Sequence, residues 1–333
     1  MARPDSARLT VHVAGLTSQH ETFWVTPARV RAAAARHPDL ARRLRFTWSW
    51  DLEGFAGKIA RADLMIGWRF PHRELAAMAP RLRWIQLTGA GVEHLMPLDW
   101  LPRGVALTNN SGVHAEKAGE FAAAALLMIN HGFPALATSQ RRHAWEKQFT
   151  TTIAGKTVAF VGLGDMGRAA ARWARRLGME VIGVRRSGRP AGGIARVVGP
   201  EALDAVLPEA DFVVVACPLT PETRNLLSRR RLARMKRGAG LVNIGRAGVV
   251  DYDALADALR AGRLSGAVLD VFDPEPLPEA SPLWDVPNLV VVPHCSSDDR
   301  DRYIPMTLDL FFDNLGRFLA GRPLRNRVRA AGY

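Results

Sequence analysis

Hydrophobic positions in the second half of the chain come in short, nearly unbroken runs of Val, Ile, Leu and Ala. They fall at Thr157–Val161, Glu180–Val184, 211–216, 240–244, 266–271 and 288–292. A strand with one wet face alternates in polarity, whereas an unbroken run marks a strand buried on both faces. Stretches with helical spacing separate the runs, at 166–177, 201–206 and 252–261. Strands alternating with helices of that length predict right-handed crossovers and a doubly wound parallel sheet. The first third repeats the alternation in shorter form. Strands are expected at 9–13, 45–48, 64–66, Trp84–Leu87 and Ala106–Thr108, with a helix over 27–44, and so a second, smaller α/β unit.

Between the two, residues 114–128 are apolar almost all round, with Ala118, Phe121, Ala122, Ala125 and Leu126 among them. This predicts a fully buried helix. At the far end Tyr303–Leu319 reads as a helix stopped by Gly321 and Pro323. Whether that terminal helix returns to the smaller unit is left open by the pattern alone.

Composition narrows the class. With 333 residues, 48% hydrophobic and 23% charged, the chain has material for two sizeable cores, and disordered or fibrous architectures are excluded. The longest strongly apolar stretch, 121–130, falls well short of the roughly 20 residues a membrane helix needs. The first residues lack the apolar core of a secretory signal. A soluble, cytoplasmic protein with no membrane partner is expected. Cys217 and Cys295 cannot make a disulfide framework, and no Cys/His cluster has zinc-ligand spacing, so no metal is expected. The net charge of +13 comes from 45 basic and 32 acidic residues, which raises nucleic acid as a partner. Against it, the arginines are spread from Arg3 to Arg329 without a recognition motif. The densest run, 229–237, carries Leu232 and Met235 in helical spacing and reads as the solvated face of an amphipathic helix. No nucleic-acid partner is expected.

Chemistry enters at Val-Ala-Phe-Val-Gly-Leu-Gly-Asp-Met-Gly, residues 158–167. Gly162, Gly164 and Gly167 form G-x-G-x-x-G after a strand, with Asp165 and Met166 opening a helix. That context makes it the dinucleotide fingerprint of a Rossmann domain. The first glycine permits the tight turn, the second lets backbone approach a pyrophosphate, and the third lets helix and strand pack closely. The next strand ends in Arg185-Arg186-Ser187, and no carboxylate follows until Glu201. An acid there would hold the ribose hydroxyl of NAD, whereas arginines pair with a 2′-phosphate. NADP(H) is therefore expected in preference to NAD(H). The predicted fold class is α/β: a Rossmann doubly wound parallel sheet plus a smaller flavodoxin-like α/β domain.

Three more segments put charged residues or His just after apolar strands, where open α/β sheets bind ligands. They are Asn243-Ile244-Gly245-Arg246-Ala247-Gly248, then Leu269-Asp270-Val271-Phe272-Asp273-Pro274-Glu275-Pro276, then Pro293-His294-Cys295-Ser296. With Cys217-Pro218-Leu219-Thr220-Pro221-Glu222 and Leu87-Thr88-Gly89-Ala90-Gly91-Val92, this set resembles the D-isomer-specific 2-hydroxyacid dehydrogenases, of the glyoxylate/hydroxypyruvate reductase kind. The resemblance runs over nearly the whole chain, to Asn314-Leu315 and Gly321-Arg322-Pro323-Leu324.

It implies reduction of a small 2-keto acid by hydride from a nicotinamide, in a cleft between a dinucleotide-binding domain, 113–296, and a substrate-binding domain, 1–112 completed by 297–333. By motif, Arg246 matches the substrate-binding arginine, Glu275 the acidic partner and His294 the acid/base. These types suit the reaction: an oxygen gaining charge needs a proton donor, and a carboxylate beside the imidazole favours its protonated form. The resemblance gives the backbone N–H groups of Ala90, Gly91 and Val92 to the substrate carboxylate. It places Cys217, Pro218, Ile244, Gly245 and Asp270 beside the cofactor, and it implies a homodimer. Asp270 has a second reading, as a cap on the turn that follows its strand.

Departures are expected to matter. The polar run Cys295-Ser296-Ser297-Asp298-Asp299 replaces a small apolar stretch after the histidine, and Gly119 stands where alanine is usual, a structural change. The loop Gly67-Trp68-Arg69-Phe70-Pro71 faces the substrate side chain by analogy, which suits a larger or acidic 2-keto acid, or else is a packed turn. The end at Tyr333 without a regulatory domain argues against a long-form phosphoglycerate dehydrogenase. A corepressor-like regulator that binds nicotinamide without physiological turnover is the rival reading, weakened by the lack of disordered tails.

Overall fold

The computed structural model describes residues 8–191 and 193–329. They divide into two compact units, one of residues 114–298 and one of residues up to 113 together with those from 299 onward.

The smaller unit holds β1 (Leu9–Gly15), β2 (Leu44–Trp50), β3 (Leu64–Gly67), β4 (Trp84–Leu87) and β5 (Ala106–Thr108). All pairs are parallel, in the order β2-β1-β3-β4-β5, which is the flavodoxin-like arrangement. Val11 pairs with Phe46 on one side and Leu64 on the other, so the apolar runs lie in register. The helix Tyr303–Leu319 packs on this sheet and buries Leu308, Phe311, Phe312 and Leu315. Phe311 stacks on Trp84 with ring centroids 5.0 Å apart. The terminal helix thus belongs to the smaller unit.

The helix expected over 27–44 is broken. It runs over Pro27–Arg36, and only a single turn, Pro38–Ala41, follows. The cause is Pro38, whose ring clashes with a helical residue before it; His37 sits at φ −129°, ψ 53° instead. Leu44 already starts β2.

The larger unit holds β6 (Thr157–Val161), β7 (Glu180–Val184), β8 (Arg196–Val198), β9 (Phe212–Val215), β10 (Gly240–Asn243), β11 (Gly266–Leu269) and β12 (Leu289–Val291). They form one parallel sheet in the order β12-β11-β10-β9-β6-β7-β8, with the strand order reversing between β6 and β9. The apolar runs overshoot the ladder at their carboxyl ends. Ile244 and Val271 remain buried after the strands stop, underlying the turns that carry the polar residues. The strand β8 left no pattern, being three residues at a sheet edge.

The helix Ala115–Asn130 is not buried all round: Glu116, Glu120 and Ala124 form an exposed stripe at four-residue spacing. Its Gly119 lies against the helix Asp165–Arg176. A Cβ there would sit 2.9 Å from Trp173 and 3.0 Å from the backbone of Ala169, so the close helix approach requires glycine. The arginine-rich run keeps its solvated face, with Leu232 and Met235 buried beneath it, but its helix is short. It covers only Arg229–Leu232, and the three arginines of that turn are paired within the unit. Arg229 bonds Asp257 at 2.9 Å, while Arg230 and Arg231 share Asp204 at 2.8 and 2.7 Å.

One titratable group lies deep in the smaller core. His12 of β1 is fully buried, its ring bonded to Thr47 Oγ1 at 3.0 Å and Ser49 Oγ at 2.9 Å. Burial, helped by the charge of Lys58, lowers its pKa from 6.5 to about 4. Between those values the unfolded chain binds a proton that the folded chain refuses, so stability falls as pH drops from 6.5 toward 4. The full loss is about 3 kcal/mol. Denaturant titrations at stepped pH should show that loss in the wild type and a flatter profile in His12→Gln. Equal slopes in the two proteins would show that His12 is not the proton acceptor.

Candidate active site

At the carboxyl edge of the seven-stranded sheet, the turns after β6, β9 and β10 crowd together. Gly162 has φ +104°, and a Cβ there would lie 2.6 Å from the Cys217 backbone nitrogen. At Gly167 a Cβ would collide with the Gly162 carbonyl oxygen. At Gly245 it would meet the Cys217 carbonyl oxygen at 2.7 Å. Gly164 differs: a Cβ there meets nothing within 4 Å, and the residue caps the helix Asp165–Arg176, whose first N–H groups lack intrahelical partners. Of the fingerprint glycines, Gly162 and Gly167 thus shape the turn, and Gly164 leaves open backbone at a helix N-terminus. That is the cradle an anionic pyrophosphate fits. Cys217 is buried there, and burial pushes its thiol up to about 11, so it stays protonated and inert at neutral pH.

Arg185, Arg186 and Ser187 follow β7 at the same edge. Arg185 is half-buried, its N–H bonded to Val198 O at 3.0 Å, while Arg186 and Ser187 are exposed.

The turn after β10 carries Arg246, whose Nη1 donates to Gly245 O at 2.8 Å. Sequence reading missed the residue that shapes this turn. Asn243, fully buried, accepts from Gly245 N–H at 3.0 Å and donates to Arg246 O at 3.1 Å and to Tyr252 Oη at 2.9 Å. Tyr252 in turn donates to Val271 O at 2.7 Å, tying this turn to the one after β11. The available signal was an amide inside an otherwise apolar strand.

Glu275 and His294 meet. His294 Nδ1 donates to Glu275 Oε2 at 2.7 Å, and Glu275 Oε1 accepts from Phe272 N–H at 2.8 Å. The Glu275 hydrogen bond outweighs burial and holds the His294 pKa above the ordinary histidine value. Burial alone would raise Glu275; the bonds from His294 and Phe272, with the charges of His294 and Arg246, bring it below the ordinary carboxylate range. The His294 side chain remains 47% exposed.

Asp270 bonds not the turn after its own strand but the one after β12. Buried at the end of β11, it accepts from Cys295 N–H and Ser296 N–H, both at 3.0 Å, and from Ser296 Oγ at 2.5 Å. Burial pushes its pKa up despite those bonds. This grip on the next two residues holds His294 at φ +48°, a left-handed conformation that β-carbon residues seldom adopt. The polar run after the histidine therefore has a structural use, since Ser296 is Asp270's partner. Arg246, Glu275, His294 and Asp270 all lie in the larger unit; Ala90, Gly91 and Val92 lie in the smaller one, in the turn after β4. Near that turn Trp68 lies flat against Gly89 and 4.4 Å from the His94 ring, while Phe70 is buried against Trp100. Both aromatics of the 67–71 loop thus pack within their own unit. Among the described residues, no group of three or more His, Cys, Asp or Glu is placed to hold a metal ion.

Comparison with known proteins agrees with this geometry. A family profile described as D-isomer specific 2-hydroxyacid dehydrogenase, NAD binding domain, matches residues 123–296. Glyoxylate/hydroxypyruvate reductase B of Pectobacterium carotovorum is 34% identical over 282 residues, 83% of this chain and 85% of that protein. A D-isomer specific 2-hydroxyacid dehydrogenase of Xanthobacter autotrophicus, solved with NADPH and MES, superposes with a TM-score of 0.83 at 32% identity, covering 98% and 99% of the two chains. The NADPH-dependent glyoxylate/hydroxypyruvate reductase of Sinorhizobium meliloti, solved with NADP and sulfate, gives 0.80 at 28% identity, covering 97% and 99%. The chain belongs to the D-isomer specific 2-hydroxyacid dehydrogenase family, and it is an NAD(P)-dependent oxidoreductase of that class.

The glycine geometry makes a binding prediction independent of turnover. Gly164→Ala should fold with a melting temperature close to that of the wild type, because its Cβ meets open space, yet bind NADPH at least about tenfold more weakly. Gly167→Ala should lower the melting temperature instead, because its Cβ strikes backbone. Thermal melts and fluorescence titration read both; undiminished NADPH binding by Gly164→Ala would show that the cradle is not used.

Proposed function

We propose that the protein is an NADP(H)-preferring 2-ketoacid reductase in which His294 is the acid/base, Glu275 its partner and Arg246 the substrate-carboxylate fork. The observation that carries this is the 2.7 Å bond between His294 and Glu275, beside Arg246 and at the edge bearing the glycine fingerprint. Gly162, Gly164 and Gly167, with the helix start at Asp165 and Met166, would hold the pyrophosphate. Arg185, Arg186 and Ser187 would hold the 2′-phosphate, and Cys217, Pro218, Ile244, Gly245 and Asp270 would border the rest of the dinucleotide. When bound, that group supplies the hydride.

The chain's own residues do the remainder. With Nδ1 engaged by Glu275, the proton available for transfer sits on His294 Nε2. As the keto carbon becomes tetrahedral its oxygen gains charge, and the Nε2 proton neutralises it, leaving a neutral imidazole still donating from Nδ1 to Glu275. Arg246 offers two N–H groups to the carboxylate, and its charge favours an anionic substrate over a neutral one. The N–H groups of Ala90, Gly91 and Val92 are assigned to the same carboxylate. Reduction needs the imidazolium, so its rate falls as pH rises through the elevated His294 pKa; oxidation of the hydroxy acid needs the neutral ring and falls in the opposite direction.

The substrate class is a small 2-keto acid such as glyoxylate or hydroxypyruvate, as the names of the Pectobacterium and Sinorhizobium relatives suggest. The two relatives solved with NADPH or NADP support the cofactor preference, as do two arginines with no acid at the end of β7. A homodimer is proposed as well: Trp145 and Phe149 are 93% and 90% exposed, and a second copy would cover them. Light scattering should give twice the chain mass, and a monomer at micromolar concentration would contradict it.

A kinetic panel tests the reading. Glyoxylate and hydroxypyruvate should be reduced with NADPH preferred over NADH by about ten- to a hundredfold in kcat/KM, the value of one charge-assisted bond. Arg185→Asp should erase most of that ratio. His294→Gln should lower kcat about 10²-fold with NADPH affinity little changed. Normal turnover without His294 would remove it from the mechanism, and NADPH binding without any turnover in the wild type would favour the regulator.

A further inference from the structure

The turn after β4 is held at three successive carbonyls, the outer two by side chains and the middle one by a backbone N–H. Thr88 O accepts from Asn110 Nδ2 at 2.9 Å and from Tyr303 Oη at 2.5 Å. Gly89 O accepts from the Asn110 N–H at 2.9 Å. Ala90 O accepts from Asn109 Nδ2 at 2.7 Å. The three donors are themselves fixed. Asn109 Oδ1 accepts from Ser111 N–H at 3.2 Å, Asn110 Nδ2 also reaches Thr307 Oγ1 at 2.8 Å, and Thr307 Oγ1 donates to Tyr303 O at 2.8 Å. Asn109, Asn110, Tyr303 and Thr307 are all buried.

A trans peptide ties each carbonyl to the next N–H in the opposite direction. Holding the oxygens of residues 88, 89 and 90 therefore fixes where the N–H groups of Gly89, Ala90 and Gly91 point. Stability alone does not ask for this arrangement. Asn110 Oδ1 is buried with no hydrogen-bond partner among the described residues, a cost an aliphatic side chain of similar shape would avoid.

We propose that Asn109, Asn110 and Tyr303 are positioning residues for the substrate carboxylate, acting by aiming the N–H groups of the 88–91 turn. The proposal rests on the reading that gives Ala90 and Gly91 to that carboxylate. A bond to an ionised acceptor is roughly twice as strong as one to a neutral acceptor, so a misaimed turn penalises an acid more than its ester.

The test compares glyoxylate with methyl glyoxylate, both with NADPH and the full chain. Asn109→Leu should lower kcat/KM for glyoxylate about tenfold and for the ester about threefold or less, with NADPH affinity by fluorescence unchanged. Tyr303→Phe, which deletes one oxygen and keeps the ring packed, should lower the acid-to-ester ratio in the same direction by about twofold. An equal fall on both substrates, or no fall, in a folded Asn109→Leu overturns the proposal; if that variant does not fold, an unchanged ratio in Tyr303→Phe does so. If the wild type reduces the ester as well as the acid, the carboxylate reading itself fails, and the proposal with it.

Discussion

A carboxylate 2.7 Å from an imidazole nitrogen does two things at once: it stabilises the charged ring and stops it turning. The larger unit supplies what that contact needs. Glu275 is steadied by the Phe272 N–H, so its second oxygen faces His294. The histidine is steadied from behind, where Asp270 grips the two residues that follow it and fixes a left-handed backbone at His294. Such a conformation costs of order 1 kcal/mol or more and persists where surrounding bonds over-determine it. Here three hydrogen bonds to one buried carboxylate do so.

The two units share a method. Each uses buried or half-buried amides and hydroxyls to shape turns beyond the ends of parallel strands: Asn243 and Tyr252 in the larger, Asn109, Asn110 and Tyr303 in the smaller. The strands themselves are apolar and rigid, and their ladders end just before the residues assigned to chemistry. Variation in the turns can then alter the site while leaving the sheets alone.

That division explains what was legible beforehand. Strands buried on both faces write themselves as unbroken runs, so the inner strands of both sheets could be read directly; the edge strand β2 is only partly buried, and the edge strand β8 left no pattern. Arg246, Glu275 and His294 were legible because they stand beside distinctive glycines and prolines. Asn243 and Asn110 were not, since a side chain bonding a carbonyl many residues away leaves no periodic trace. The broken helix at His37 had a visible cause in Pro38, but the apolar spacing beyond it was stronger than the local signal. The arginine run was half-legible: Leu232 and Met235 are indeed buried, but the partners of its charges, Asp204 and Asp257, come from elsewhere in the chain.

The central claim is that Glu275 makes His294 a stronger base than an ordinary histidine and so favours its charged, proton-donating form. Histidine-labelled protein followed by NMR through a pH titration measures it without reference to turnover. The His294 midpoint should lie above that of exposed histidines in the same chain and fall in Glu275→Gln. A His294 midpoint in the ordinary range, unmoved by Glu275→Gln, would contradict the account.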